Sequence, residues 1–157
     1  MSKISTSLWF DTQAEEAVNF YTSLIPNSKI KTVTRYGDEN PDRSGQVMTI
    51  DFELDGQQYN ALNGGPEFTF NEAASILVDC ESQEEIDRLW AALSEGGEEG
   101  PCGWLKDKYG LSWQINSTLL MDYIVNGEPE AKLRAVQAMY KMSKLDNAVL
   151  KAAYEGE

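Results

Sequence analysis

Few side chains in this sequence could carry acid–base chemistry, because its 157 residues include no histidine. General acid–base catalysis needs a titratable group beside the substrate, and the β-type segments offer three carboxylates for that role: Asp51, Glu53 and Asp79. Alternation along residues 48–54 places Asp51 and Glu53 on the side opposite the apolar residues. We interpret all three as solvated carboxylates, with a catalytic role as the alternative.

The two cysteines, Cys80 and Cys102, are too few for a disulfide framework or a zinc site. A nucleophilic cysteine requires a neighbouring base, which a histidine usually supplies. Cys80 ends an apolar segment and is predicted to be a core residue. Cys102 lies between Pro101 and Gly103 and is predicted to be more accessible, without a catalytic role.

The composition excludes several classes of partner. The formal net charge is −13, from 13 basic and 26 acidic residues, whereas nucleic-acid binding requires clustered lysine and arginine. No apolar run approaches the roughly 20 residues that cross a bilayer, and the N-terminal residues do not resemble a signal peptide. We expect a folded cytoplasmic protein that binds neither nucleic acid nor membranes.

The hydrophobic patterns predict one order of elements twice: a strand, a helix and then several strands. This repeat covers about residues 3–63 and 74–117, and amphipathic helices follow over about 118–155. Local signals support these elements. Asp55-Gly56 is typical of a hairpin turn, Ser82 of a helix cap, and either Asp11 or Thr12 of the first helix's cap. The segment 106–108 is interpreted as a charged turn.

Three segments carry a resemblance to a known family: "LWFDTQAEEAVNFYTSLIPNSKI", "FELDGQQYNALNGGPEFTFNEAASILVDCESQEEIDRLWAAL" and "CGWLKDKYGLSWQI". They closely resemble the glyoxalase/bleomycin-resistance/dioxygenase, or vicinal oxygen chelate, superfamily. Within it they resemble the PhnB-like branch, often labelled 3-demethylubiquinone-9 3-methyltransferase-like. The resemblance implies an α+β fold of two βαβββ modules, forming a curled mixed sheet around a cavity, with a C-terminal helical tail. It also implies one domain over residues 1–157 and a homodimer.

Metal-dependent members of this superfamily bind a divalent ion through four inward-facing side chains. The resemblance places the equivalent positions here at Thr6, Asn63, Ser75 and Gln114. All four are uncharged, whereas a catalytic divalent site normally contains imidazole, thiolate or carboxylate ligands. We therefore expect no metal cofactor, with a divalent metal as the alternative.

The same four residues could bind a polar, uncharged group, since they supply hydrogen-bond donors and acceptors. Tyr59 and Trp104 lie in the neighbouring segments and could add flat apolar walls, while Trp113 alternates away from Gln114 and is predicted to be core. The sequence thus predicts a metal-independent small-molecule-binding protein with a neutral polar cavity. The alternative is an enzyme of this fold, lyase-, isomerase- or dioxygenase-like, that uses a carboxylate or a metal. The glycine-rich strand–helix turn of nucleotide-type cofactor sites is lacking, which argues against methyl transfer.

Overall fold

Two βαβββ modules follow one another in the computed structural model, which describes residues 2–157. The first contains β1 (Thr6–Phe10), α1 (Ala14–Leu24), β2 (Lys29–Arg35), β3 (Val47–Leu54) and β4 (Gln57–Asn63). The second contains β5 (Ser75–Cys80), α2 (Gln83–Ser94), β6 (Glu98–Glu99), β7 (Trp104–Lys106) and β8 (Ser112–Ser117). The tail contains α3 (Thr118–Asn126), α4 (Pro129–Met139) and α5 (Asn147–Glu155). The predicted α+β repeat and helical tail are confirmed.

The chain divides into two compact units, one ending at Phe70 and the other beginning at Asn71. The first module forms one unit, and the second module forms the other together with the tail. None of the helices in residues 2–157 is long and apolar enough to cross a membrane.

In the first module the strand order is β1-β4-β3-β2, with β1 parallel to β4 and the other pairs antiparallel. The predicted turn between β3 and β4 is confirmed, since Asp55 and Gly56 adopt positive φ angles of 48° and 80°, as the tight hairpin turn requires. Helix α1 buries Ala14, Ala17, Val18 and Tyr21. The core of this unit also contains strand residues that share one face of the sheet: Leu8, Phe10, Ile50, Phe52 and Ala61.

In the second module the order is β5-β8-β7-β6, again with its first pair parallel. The predicted cap of α2 is confirmed, because Ser82 Oγ accepts a hydrogen bond from Glu85 N at 3.2 Å. The α2 side of the sheet is apolar and buries Trp113 and Ile115 completely. The opposite side is more open, and it carries Leu77 with about half of its surface exposed.

The tail has a small core of its own, formed by Leu120, Leu145 and Leu150. The amide of Gln83 fixes it from α2, donating to Leu145 O at 3.0 Å and accepting from Asn147 N at 2.7 Å. Both atoms of this amide are used, so it sets the start of α5 relative to α2.

Candidate functional site

The open face of the second sheet brings three of the predicted site residues together. Gln114 pairs in register with Leu77 on one side and Trp104 on the other. Its amide Nε2 donates to Ser75 Oγ at 2.9 Å. Ser75, Trp104 and Gln114 therefore lie on the same face of one sheet, opposite the face that buries Trp113 and Ile115.

One of these three residues, Trp104, lines a cavity of about 390 Å³, whereas Ser75 and Gln114 do not line it. We call it the Trp104 pocket, and its walls include Glu72, Pro101, Trp104, Leu105, Lys106 and Ser112. Small-molecule sites typically measure about 300–1,000 Å³ and combine apolar walls with a few polar groups. The pocket matches that description in size and in chemistry.

Ser112 is the unusual polar group of this pocket. The residue is 1% exposed, and within residues 2–157 its Oγ has no hydrogen-bond partner. A buried hydroxyl without a partner costs roughly 1–3 kcal/mol. Its register partner across β5, Ser75, is bound to Gln114 and does not satisfy it.

Charged groups also line the pocket, and of the residues predicted to form a neutral cavity it contains Trp104 alone. The ammonium of Lys106 forms an ion pair with the carboxylate of Glu72. The hydrogen bond from Lys106 lowers the pKa of the Glu72 carboxyl, and the same bond raises the pKa of the Lys106 ammonium. Both groups therefore stay charged at neutral pH. Glu98 and Glu99 contribute two more carboxylates.

The predicted residues of the first module do not share this arrangement. Thr6 pairs in register with Tyr59, and Asn63 pairs with Phe10, so all three lie on the face of their sheet that packs against α1. Tyr59 is buried and stacks on Phe52 with ring centroids 5.4 Å apart. Burial raises the pKa of its hydroxyl. Thr6, Tyr59 and Asn63 thus lie on the helix-packed face of the first sheet, and their role in a ligand-binding cavity stays a prediction.

Asn63 has a structural role that its neighbours in sequence do not reveal. Its Oδ1 accepts from Ala14 N at 2.9 Å and its Nδ2 donates to Val47 O at 3.1 Å. Ala14 is the first residue of α1, and the N-cap residue Gln13 makes no side-chain capping bond. Asn63 thus supplies from β4 the cap that was predicted locally at Asp11 or Thr12, and that local prediction was wrong.

The two modules can be compared by matching the ends of their parallel strand pairs. The last residue of β1, Phe10, pairs with Asn63, and the last residue of β5, Cys80, pairs with Ser117. Counting back from these matched ends, Gln114 corresponds to Asn60 rather than to Asn63. Because strand side chains alternate between faces, an offset of three residues moves the side chain to the other face.

Replacing Asn63 by alanine is expected to lower the free energy of unfolding by about 2 kcal/mol, since it leaves the buried Ala14 N–H without an acceptor. Urea denaturation measures the change. Asn60→Ala is the matched control, because this amide is more exposed and bonds Ser7 and Asp51 at the surface. Equal losses in the two variants would contradict the capping role.

The candidate acid–base carboxylates lie in ordinary surface interactions. Asp51 accepts from Asn60 and Asp79 accepts from Asn116, while Glu53 pairs with two lysines of β2 at 3.3 and 3.7 Å. All three carboxylates are thus engaged by polar or charged neighbours on their own sheets. We therefore assign no acid–base role to Asp51, Glu53 or Asp79.

The cysteines differ as predicted in their exposure. Cys80 is fully buried, which confirms its core position, and burial above all raises the pKa of its thiol to about 12. A thiol with that pKa is not ionised at neutral pH and is a poor nucleophile. Cys102 is partly exposed in a left-handed backbone conformation with φ of 57°.

The donor set does not fit a divalent metal. Of the four positions expected from the resemblance, Asn63 has both amide atoms bound to backbone groups of its own module, and Gln114 donates to Ser75. If Asn60 is taken as the expected ligand position in place of Asn63, the donor set still contains only a neutral amide there. Residues 2–157 contain no group of three or more histidine, cysteine, aspartate or glutamate side chains arranged to hold an ion, and such ligands are what catalytic sites use.

Asp107 is the residue whose importance the sequence analysis missed. It was interpreted as part of a charged turn, yet only 3% of its surface is exposed. Its carboxylate accepts from Tyr109 N at 2.8 Å, Leu111 N at 3.1 Å and Trp113 Nε1 at 2.9 Å. It therefore fixes the turn between β7 and β8, the strands that carry Trp104 and Ser112. A tryptophan six residues after an aspartate-led turn is the only local signal for this bond.

Comparisons with known proteins agree with this architecture. The family described as 3-demethylubiquinone-9 3-methyltransferase matches residues 2–116. The match therefore ends before the helical tail begins. A putative 3-demethylubiquinone-9 3-methyltransferase, PhnB protein, from Bacillus cereus is 39% identical, with a TM-score of 0.68 over 74% of this chain and 100% of that chain. No curated protein matches the chain.

Two more distant structures share the fold alone. Protein PA1353 from Pseudomonas aeruginosa is 21% identical, with a TM-score of 0.62 over 74% of this chain and 98% of its own. A mutant of the fosfomycin resistance protein FosX from Listeria monocytogenes, complexed with Mn(II) and 1S,2S-dihydroxypropylphosphonic acid, is 12% identical. Its TM-score is 0.52 over 74% of this chain and 92% of its own.

Proposed function

Because the chain belongs to the 3-demethylubiquinone-9 3-methyltransferase family, in the PhnB-like branch of the vicinal oxygen chelate superfamily, we propose that it binds a small organic molecule in the Trp104 pocket without a divalent metal. The observation that carries this proposal is Ser112, whose buried hydroxyl lines the pocket and lacks a protein partner. Because this hydroxyl is closed off from solvent, a ligand reaches it only when the neighbouring side chains shift, and a hydrogen bond formed there would remove the cost of leaving it unpaired.

The other walls of the pocket indicate the shape of the ligand. Trp104 presents an aromatic ring that is only partly buried, and Pro101 and Leu105 add apolar surface. Flat rings bind such surfaces through stacking and burial of apolar area. The proposed ligand therefore combines a flat apolar part with one hydrogen-bonding group.

The proposal does not extend to catalysis. The carboxyl groups with shifted pKa values, Glu39, Glu72 and Asp87, are all lowered, chiefly by hydrogen bonds from Gly37, Lys106 and Lys144 respectively. A general acid needs the opposite shift to act at neutral pH. Methyl transfer is not proposed either, because each sheet is a four-stranded mixed sheet rather than the doubly wound sheet that binds nucleotide-type cofactors. Homodimer formation stays a prediction, which sedimentation equilibrium would test.

Ser112→Ala tests the proposal through two effects of opposite sign. In the free protein, removing the unpartnered hydroxyl is expected to raise the free energy of unfolding by about 1 kcal/mol. With 2-naphthylmethanol as the probe, the same variant is expected to bind about five- to tenfold more weakly, the equivalent of one hydrogen bond. The probe has a flat ring for Trp104 and a hydroxyl for Ser112.

The wild-type dissociation constant for this probe is expected to be low millimolar or tighter, from roughly 12 heavy atoms at about 0.3 kcal/mol each. Ligand-observed NMR titration measures it, and urea denaturation measures stability. Ser75→Ala is the matched control, because its hydroxyl is bound to Gln114 and its loss should destabilise the free protein. Destabilisation by Ser112→Ala, or unchanged binding, would contradict the proposal.

A further inference from the structure

Negatively charged side chains outnumber positively charged ones around the Trp104 pocket. Glu72 and Glu98 line it against the single ammonium of Lys106, and Glu99 adds a third carboxylate from the other face of the sheet. An excess of one sign in a pocket with apolar walls raises the local concentration of ligands of the opposite charge. The pocket's own charges therefore bear on which ligands it accepts.

Lys106 is not available to attract an anion. It is already paired with Glu72, and Glu98 is its direct cross-strand partner in register. The hydrogen bond to Glu72 is the largest cause that raises the pKa of Lys106, and the charge of Glu98 is the smallest. A ligand carboxylate or phosphonate would have to displace Glu72 while facing Glu98, and both contacts oppose binding.

Glu98 lies where it would act on a bound ligand. It pairs with Lys106, and Lys106 and Trp104 are two residues apart on β7, so all three share one face of the sheet. Glu99 is on the other face, where it accepts from Trp90 Nε1 at 2.9 Å. A cation placed over the Trp104 ring would gain from the ring's negative face as well as from Glu98.

We propose that the Trp104 pocket selects cationic ligands, specifically flat apolar groups that carry a protonated amine, and rejects carboxylates and phosphonates. This inference rests on the proposed function, since it concerns the ligand class of the same pocket. The ring lies against Trp104, the amine lies near Glu98, and the Glu72–Lys106 ion pair stays intact beneath it.

Three probes of one scaffold test the charge preference: 2-naphthylmethanol, 2-naphthylmethylamine and 2-naphthoate. At low ionic strength the amine is expected to bind about fivefold tighter than the alcohol, and the carboxylate at least about fivefold weaker. The spread between amine and carboxylate should narrow as salt shortens the Debye length from about 30 Å at 0.01 M to about 8 Å at 0.15 M.

The Glu98→Gln variant tests whether Glu98 causes the preference for the amine over the alcohol. This variant is expected to reduce the ratio of amine to alcohol affinity about threefold. Glu95→Gln is the matched control, because Glu95 is exposed in the same unit but does not line the pocket, and it should leave the ratio unchanged.

The outcomes separate the two proposals. If the alcohol binds at the pocket and the amine binds no tighter, the charge preference is wrong and the proposed function stands. If none of the three probes binds, the proposed function fails and the charge preference fails with it. An equal loss of the ratio in Glu95→Gln and Glu98→Gln would overturn the role of Glu98.

Discussion

Replacing Asp107 by alanine is expected to lower the free energy of unfolding by about 3 kcal/mol or more. Its buried carboxylate accepts from two backbone N–H groups and from the indole of Trp113, with distances between 2.8 and 3.1 Å. Hydrogen bonds to a charged group are worth about 1.5–3 kcal/mol each, and their loss would leave buried donors without acceptors. Urea denaturation of the purified variant measures the change.

Asp107→Asn provides an internal comparison, because the amide keeps one acceptor oxygen and should lose less stability than alanine does. The exposed Asp42 is the surface control, and Asp42→Ala should change the unfolding free energy by no more than about 0.5 kcal/mol. An Asp107→Ala variant as stable as the Asp42 control would show that the turn does not depend on this carboxylate.

Replacing Trp104 by alanine is expected to weaken binding of 2-naphthylmethanol by about thirtyfold, or roughly 2 kcal/mol. The estimate combines the stacking contribution with the apolar area that the probe would no longer cover. The effect on stability should be smaller, since Trp104 is only partly buried, unlike Trp113 of β8. Ligand-observed NMR titration of the two proteins gives the ratio of dissociation constants.

Trp104→Phe should keep a substantial part of the affinity, because it retains an aromatic wall. Phe68→Ala serves as the control outside the pocket: this ring is 62% exposed in the first unit, and its removal should leave the affinity unchanged. A Trp104→Ala protein that binds as tightly as the wild type would place the binding site elsewhere.

The features that could be predicted from the sequence were those with local signals. The Asp55-Gly56 turn requires positive φ angles that few residue pairs tolerate, and it lies where expected. Ser82 precedes a clear amphipathic stripe and caps α2. Alternation placed Trp113 on the side opposite Gln114 and in the core, and Trp113 is fully buried.

The features that could not be predicted depend on partners distant in sequence. Asn63 caps α1 from 49 positions away along the chain, so a search near Asp11 for the capping side chain could not find it. Only the strand pairing shows that Asn60 rather than Asn63 corresponds to Gln114. The offset of three residues between Asn60 and Asn63 leads to the same residue type, asparagine, on the opposite face of the sheet.

The Trp104 pocket combines both kinds of information. Trp104 was found from its position beside Gln114, but Ser112 gave no signal, because a serine in a strand is unremarkable until its hydroxyl is seen to be buried without a partner. Glu72 and Lys106 are 34 positions apart, so no local signal predicted the ion pair that lines this pocket.

The most direct test of the account is to follow the tryptophan indole N–H signals by NMR during titration with 2-naphthylmethanol. The chain has four tryptophans, and the indoles of Trp9, Trp90 and Trp113 donate to Gly65, Glu99 and Asp107 respectively. Binding in the Trp104 pocket predicts a saturable shift that is largest for Trp104, with one site per chain. Saturable binding that leaves the Trp104 signal unmoved, or no binding at all, would contradict it.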